Sequence, residues 1–338
     1  MATASAVRIP RSAPVTNTLA IGYAALAYFG GWWALFQGAA WLNTLGVVAL
    51  AHGMTIAAYL IHECAHNTLF RSPAHNALLG AALGWLTGSS YGTFEDLRYK
   101  HMRHHVDNSD PVSFDYRSLL AAHPRMNRLI SALEWAYVPV TEMIMHAMLV
   151  AGPFIFESKR QQRARVVRIV LIRGAAFTAI LIASAKAALL YLLAYLLFMT
   201  VLRFMDAFQH NYEIHLTLDT PDAPAPFRGD RDYEERNTYS NFLSRRWPWL
   251  NLLVLNFNYH NAHHAKPTVP WHQLPALHHD LYPTACPQQL GFLEQLRSYH
   301  NNRVARVLSP DYGSTNVRTA LDEGRLVGAN ALSFLTAF

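Results

Sequence analysis

Between Arg11 and Glu63 the chain reads SAPVTNTLAIGYAALAYFGGWWALFQGAAWLNTLGVVALAHGMTIAAYLIH, residues 12–62, fifty-one positions without a single Asp, Glu, Lys or Arg. A helix crosses about 30 Å of hydrocarbon with roughly 20 apolar residues, so this run holds two crossings and the turn between them. Only 15% of the 338 residues are charged, against about 25% in a soluble domain. That arithmetic excludes a disordered chain, a collagen-like fibre and a disulfide-stapled module. Cys64 and Cys286 are the only cysteines, which argues against a disulfide framework and against a Cys-ligated iron–sulfur cluster.

A second apolar region, residues 174–202, contains only Lys186 and is flanked by Arg173 and Arg203. The expected fold is therefore an all-α integral membrane protein with about four spans, near 17–36, 42–61, 168–185 and 187–206. A single domain, 1–338, is expected, with a helical cytoplasmic cap formed by 62–167 and 207–338. Arg173 must snorkel or the third span is short. Residues 72–94 are uncharged but broken by Pro73, Gly80, Gly84, Gly88 and Ser89-Ser90, and residues 130–156 by Glu134, Pro139, Glu142 and Pro153. Both read as re-entrant or interfacial hairpins, residues 213–246 as a charged cytoplasmic connection, and 285–338 as amphipathic cytoplasmic helices. Lys159, Arg160, Arg163, Arg165 and Arg168 precede the third span, whereas the turns near 37–41 and 186 hold one basic residue. By the positive-inside rule both termini are expected in the cytoplasm. Residues 1–18 lead into a hydrophobic stretch too long for a signal peptide, without a clear A-x-A cleavage site, and read as a short cytoplasmic tail. The net charge of +6 suits a face near anionic lipid better than nucleic acid, since no segment alternates basic residues with exposed aromatics.

Histidine makes up 18 residues, and the arrangement matters more than the number. Four clusters stand out: His62-Glu63-Cys64-Ala65-His66, His101-Met102-Arg103-His104-His105, Asp206-Ala207-Phe208-Gln209-His210 and His260-Asn261-Ala262-His263-His264. Two H-x-x-H-H boxes arise by chance in roughly one such chain in a thousand. Residues three and four apart share a helix face, so each box can aim its imidazoles at one point. Neutral imidazole is the commonest metal ligand. Nine candidates, His62, His66, His101, His104, His105, His210, His260, His263 and His264, can fill two coordination spheres. The second span ends at the first cluster and the fourth at about Asp206, so all four clusters fall on one side of the spans. Isolated His52, His75, His123, His146, His215 and His300, and His272, His278 and His279, lack this spacing. Cys64 lies on another helix face from His62 and reads as packing. Asp206 is either an ion-pair partner of Arg203 or a carboxylate that holds a metal-bound water or orients an imidazole.

These boxes, in this order and between these spans, resemble the membrane fatty acid desaturase and hydroxylase superfamily. HECAH is similar to its first box, KHMRHHVDNSDP to its second, and NYHNAHHAKPTVPWHQLPALHH to its third with the Pro-rich run of acyl-chain desaturases. DAFQH resembles the element in which one more histidine joins the eight box histidines, with Asp206 where some acyl-CoA desaturases have Asn. The resemblance implies two non-haem irons, O2 as cosubstrate and a fatty-acyl or other lipid substrate. It also implies a separate electron donor of ferredoxin, rubredoxin or cytochrome b5 type, because the sequence has no flavin or NAD fingerprint. Hydroxylases and ketolases of alkyl or carotenoid substrates share the box logic. From another class, a membrane metal transporter also collects histidines, but along a path near mid-bilayer.

Overall fold

The computed structural model describes residues 13–212, 217–218, 225–284, 286, 288–308 and 334–337. The opening run folds as the helical pair α1 (Ala13–Leu35) and α2 (Ala40–Ala65). Their close crossing depends on glycine: a Cβ at Gly31 would meet Leu50 Cγ at 2.7 Å, and one at Gly46 would meet the Gly31 carbonyl oxygen at 2.9 Å. Small residues let helix backbones approach where lipid supplies no hydrophobic drive. Asn43 closes the turn by donating to the carbonyls of Ala34 at 2.9 Å and Gln37 at 3.0 Å, two of the acceptors that a helix end leaves without partners. Every residue of α2 from Gly53 to Ala65 is buried, as expected of a helix at the centre of a bundle.

After α3 (Pro73–Thr87), α4 (Phe94–Asp107), α5 (Tyr116–Ala122), α6 (Pro124–Trp135) and α7 (Val140–Ile155), the chain returns to long apolar helices, α8 (Arg163–Ala183) and α9 (Ala185–Asp206). Three short helices follow, α10 (Arg231–Asn237), α11 (His260–Ala265) and α12 (Leu274–Leu281), and then the longer α13 (Phe292–Leu308). Sheet among the described residues is confined to a parallel pair of two-residue strands, β1 (Ser240–Asn241) and β2 (Gln289–Leu290). The fold is all-α.

Three stretches are long and apolar enough to cross a membrane: Ala40–Ala65, Glu157–Ala183 and Ala185–Asp206. The α6–α7 pair, bent by 119°, is a fourth candidate as one broken span, which fits the interruption expected within 130–156. The first expected span, 17–36, is helical as α1 but does not reach that hydropathy, because Asn17, Thr16, Thr18, Tyr, Trp and Gly dilute it. Its outer face is nonetheless apolar, with Leu19, Leu26, Phe29 and Trp33 exposed. On α8 only Val166 and Ile169 are buried, so its flank of Leu171, Ile172, Leu181 and Ile182 lies open, as a lipid-facing helix requires.

One expectation needs correction. Residues 72–94 do not form a two-armed hairpin: Pro73–Thr87 is one helix, α3, which Gly88 ends in the left-handed conformation at φ +81°, and a single 3-10 turn, Ser89–Tyr91, leads on to α4. A side chain at Gly88 would also collide with the Tyr195 hydroxyl, at 2.3 Å. The Arg173 guanidinium donates to the Trp85 carbonyl at 2.8 Å and lies 5.6 Å from the centre of the Tyr91 ring, so its charge is directed towards the end of α3. Of residues 285–338, α13 is helical. Residues 1–12, 309–333 and His215 lie outside the described residues.

Lys186 donates to the Gln37 carbonyl, which sets the α8–α9 turn beside the α1–α2 turn. The opposite ends of α2 and α9 therefore lie on one common side, and they carry the first and third histidine clusters. Arg203, near that end of α9, forms a buried ion pair with Glu134 of α6.

Candidate metal centre

Each cluster reaches the centre by a different local route. His62 sits in the last turn of α2 and His66 at its C-cap. The second box occupies α4, whose start is capped by Thr93, accepting from the Asp96 amide at 3.0 Å. His210 follows α9 in a loop, fixed by a bridge to Thr238 and by the bonds Asn211 N to Asn237 O and Tyr239 N to Gln209 O, each 2.8 Å. The third box is α11 itself. Left-handed residues flank three of the four clusters: Asn67 (φ 58°) directly after His66, Asn108 (φ 48°) after the second box, and Leu255 and Asn256 (φ 51° and 56°) before the third. They reverse the chain sharply; the conformation costs most residues with a Cβ, such as Leu255, about 1–2 kcal/mol, and asparagine less.

The structure brings all nine candidate histidines together, in two adjoining groups. His62, His66, His101, His105 and His263 form one, His104, His210, His260 and His264 the other, with one nitrogen of each ring within 4.8 Å of the rest of its group. His105 lies at the junction, its ring centre 4.2 Å from that of His264. Nitrogens approach as Nε2 pairs: His66 to His101 at 2.6 Å, His105 to His101 at 3.2 Å, His263 to His105 at 3.1 Å, His104 to His210 at 2.9 Å and His260 to His210 at 2.6 Å. Two nitrogens bound at right angles to one ion, each about 2.1 Å from it, lie about 3.0 Å apart.

The protons show that a cation fits. His104 Nδ1 donates to the Ser109 carbonyl at 2.8 Å. Thr238 spends its hydroxyl proton on the Glu234 carbonyl at 2.7 Å, so His210 Nδ1 must donate to Thr238 Oγ1 at 3.3 Å. Both Nε2 atoms are then bare lone pairs facing one another at 2.9 Å, an arrangement that repels unless a positive ion sits between. His264 Nδ1 donates to Glu234 at 2.9 Å, and its buried Nε2 has no hydrogen-bond partner. A carboxylate that fixes the tautomer in this way is a usual companion of a metal-bound imidazole. Burial first, then the neighbouring imidazoles, hold His101, His105, His210, His263 and His264 well below the ordinary histidine pKa, which keeps them neutral and able to ligate. Imidazole donors suit iron, zinc, copper and nickel.

Asp206 lines a small cavity with Lys100, His101, His104, His210, His260, Phe257 and Phe334. Arg203 is engaged by Glu134, and Asp206 shares the cavity with Lys100, whose ammonium burial pulls down to about 8 against the acidic groups around it. Asp206 Oδ1 is buried with no hydrogen-bond partner. The remaining described histidines stand outside both groups: His52 contacts Tyr23 and Leu253, His123 donates to Leu119, His300 contacts Tyr137, and His278 contacts Gln289. Cys64 is buried and free in the core around α2. Sequence reasoning missed Glu234, Thr238, Lys100 and Phe334. The first two sit in a charged stretch with no periodic signal, and only the return of the chain brings them to the rings.

Fold and site define an all-α protein with long apolar helices and two adjoining histidine groups that could hold metal. The fatty acid desaturase profile matches residues 39–295, and the chain belongs to that family. It is also 28% identical, over 226 residues, to a sphingolipid delta(4)-desaturase of Komagataella phaffii, a match covering 66% of this chain and 57% of the relative. The chain thus spans little more than half the length of that curated relative.

Proposed function

We propose that this protein is a membrane-bound, O2-dependent di-iron desaturase of a lipid-borne alkyl chain, supplied with electrons by a separate donor protein of ferredoxin, rubredoxin or cytochrome b5 type. The observation that carries this reading is the division of nine imidazoles, six buried and three half-buried, into adjoining groups of five and four, at the common end of long apolar helices. One closed structural site needs only about four ligands. A transporter would set its ligands along the spans, whereas these lie at span ends. The relative is a sphingolipid desaturase, which supports desaturation of a lipid chain as the reaction class.

Two irons, when bound, would supply the oxidising power that an unactivated C–H bond demands: two hydrogens leave adjacent carbons, and O2 takes up these, two electrons and two protons to give two waters. His62, His66, His101, His105 and His263 would hold one iron and His104, His210, His260 and His264 the other. Glu234, Thr238 and the Ser109 carbonyl orient the second set. Phe257, edge-on to His62 at 4.5 Å, helps exclude water. Asp206 offers Oδ1 to a proton or a water in the cavity. Four spans, with α1 as the first, would place the histidine side and both termini in the cytoplasm and make residues 62–167 and 207–338 the cap.

Lipid profiling of cells expressing the chain, beside the His105→Ala variant, tests the proposal. A lipid lighter by two hydrogens, absent with the variant, is the expected result. Oxygen-18 from O2 retained in the product would replace desaturation by hydroxylation. Zinc or copper flux into liposomes without any lipid product would favour transport.

A further inference from the structure

The cavity at the histidines measures about 60 Å³, whereas pockets that enclose small ligands run to about 300–1,000 Å³. Two larger cavities, about 480 and 580 Å³, open along α3, α8 and α9, and none of the nine histidines lines either. A third, about 270 Å³, reaches His264 but is walled by Arg231, Glu234 and Glu235. A lipid chain that must touch the metal ligands needs more space than the small cavity beside them provides.

Beside that cavity lies Phe334–Ala337, four residues outside any helix or strand, with Phe334 on the cavity wall. The Phe334 ring centre lies 5.8 Å from those of both His62 and His101. Leu335 and Ala337 are each only 1% exposed and belong to the apolar core around α2 and α9. Between them Thr336 turns polar atoms to a buried anchor: its carbonyl accepts from Lys100 Nζ at 3.1 Å and Ser113 Oγ at 2.9 Å, and its hydroxyl from Lys100 Nζ at 3.2 Å. The Ala337 carbonyl rests against Gly92, where any Cβ would come within 2.2 Å of it. The segment thus presents what an oxygenated lipid presents, apolar groups against metal ligands and core, and a carbonyl with a nearby hydroxyl on a buried ammonium.

We propose that Phe334–Ala337 occupies the substrate's place, and that Lys100 with Ser113 forms the subsite that receives the carbonyl or hydroxyl head of a lipid when the segment withdraws. This rests on the reading of the site as one that acts on a lipid chain. Filling the site from within lowers apparent lipid affinity in proportion to the fraction of open molecules.

Photolabelling of the iron-loaded full chain tests this without turnover. The probes are an N-acyl amino alcohol with a diazirine on its alkyl chain and a diazirine-bearing hexadecane without oxygen. Deletion of residues 334–338, or Leu335→Asp, which places in the core a charge that must leave it, should raise labelling by the N-acyl amino alcohol about tenfold, with iron per chain unchanged. Adding Lys100→Met to the deletion should reverse the gain for that probe and leave labelling by the hexadecane probe as it was. Labelling equal to or below that of the full chain, with iron retained, would overturn the proposal. Loss of iron from both variants would also overturn it, since the segment would then be a fixed wall of the metal centre. Raised labelling with no unsaturated product from any lipid would retire the desaturase reading and leave this one standing.

Discussion

The two histidine groups are built by different means. The five-residue group is placed by packing: four of its members ride on the ends of α2 and on α4, and His62 Nδ1, His105 Nδ1 and His263 Nδ1 are buried with no hydrogen-bond partner. In the four-residue group three of the four rings are placed by hydrogen bonds from loops and a short helix, through Ser109, Thr238 and Glu234, and His260, whose buried Nδ1 has no hydrogen-bond partner, is placed by packing. A side chain on a rigid, enclosed helix needs little outside help to aim a ring. One on a loop, as His210 is, needs a partner at Nδ1 to fix both orientation and tautomer. The first group should therefore be sensitive to what fills its surroundings, and the second to what hydrogen-bonds its rings.

The largest test removes one ring from each group. His105→Ala and His264→Ala should each bring lipid desaturation to background while the protein remains in the membrane fraction. Iron per chain should separate them. His105 stands within 3.2 Å of nitrogens of His101 and His263 and against the His264 ring, so its loss should empty both groups. His264→Ala should keep the iron of the five-residue group. Equal metal loss in the two variants would show that the groups load as one unit. His210→Ala should resemble His264→Ala, and retained activity in it would remove His210 from the site.

The five-residue group is also the more legible in sequence. His62 with His66, and His101 with His105, obey helical spacing on elements that continue from uncharged runs, so both helix and shared face follow from residue order. His210 was found by its place after a span, and its partner Thr238 is 28 residues away. Glu234 is one of many charges between 213 and 246, and its role arises only when α10 folds back on α11. The helix pairs could be read from the uncharged runs because the bilayer imposes length and the charges mark its edges. The pairing of Arg173 with Trp85, 88 residues apart, and of Arg203 with Glu134, 69 apart, could not, because a long polar side chain finds its partner only in the packed bundle. Residues 72–94 mislead for a local reason: of the glycines that suggest breaks, Gly80 and Gly84 lie inside one helix, and only Gly88 ends it.

Glu234→Ala is the next test in size. Loss of a carboxylate partner of a metal-bound histidine typically costs about 10–100-fold in metal affinity or activity, and the effect should fall on the four-residue group alone. Titration of iron into the metal-free variant should show one weakened site and one unchanged. Thr238→Val is gentler: it removes one neutral hydrogen bond from His210, about 0.5–1.5 kcal/mol, or a two- to tenfold loss in affinity at the same site. If either variant weakens both sites alike, the contrast between packed and hydrogen-bonded groups is wrong.

The smallest effect belongs to the packed group and works through backbone alone. Asn67, at φ 58°, follows His66 directly, its amide donating to the Cys64 carbonyl at 3.1 Å. Asparagine tolerates the left-handed region better than other residues with a Cβ, and glycine better still. Asn67→Ala should therefore lower the melting free energy by about 1 kcal/mol, with Asn67→Gly near the starting protein. Because α2 is buried on all sides from Gly53 to Ala65, the helix end that carries His62 should hold its position in both variants, and iron affinity should move by less than about twofold. A larger loss of iron in Asn67→Ala than in Thr238→Val would mean that the turn after α2, and not the packing around it, aims the first group of rings.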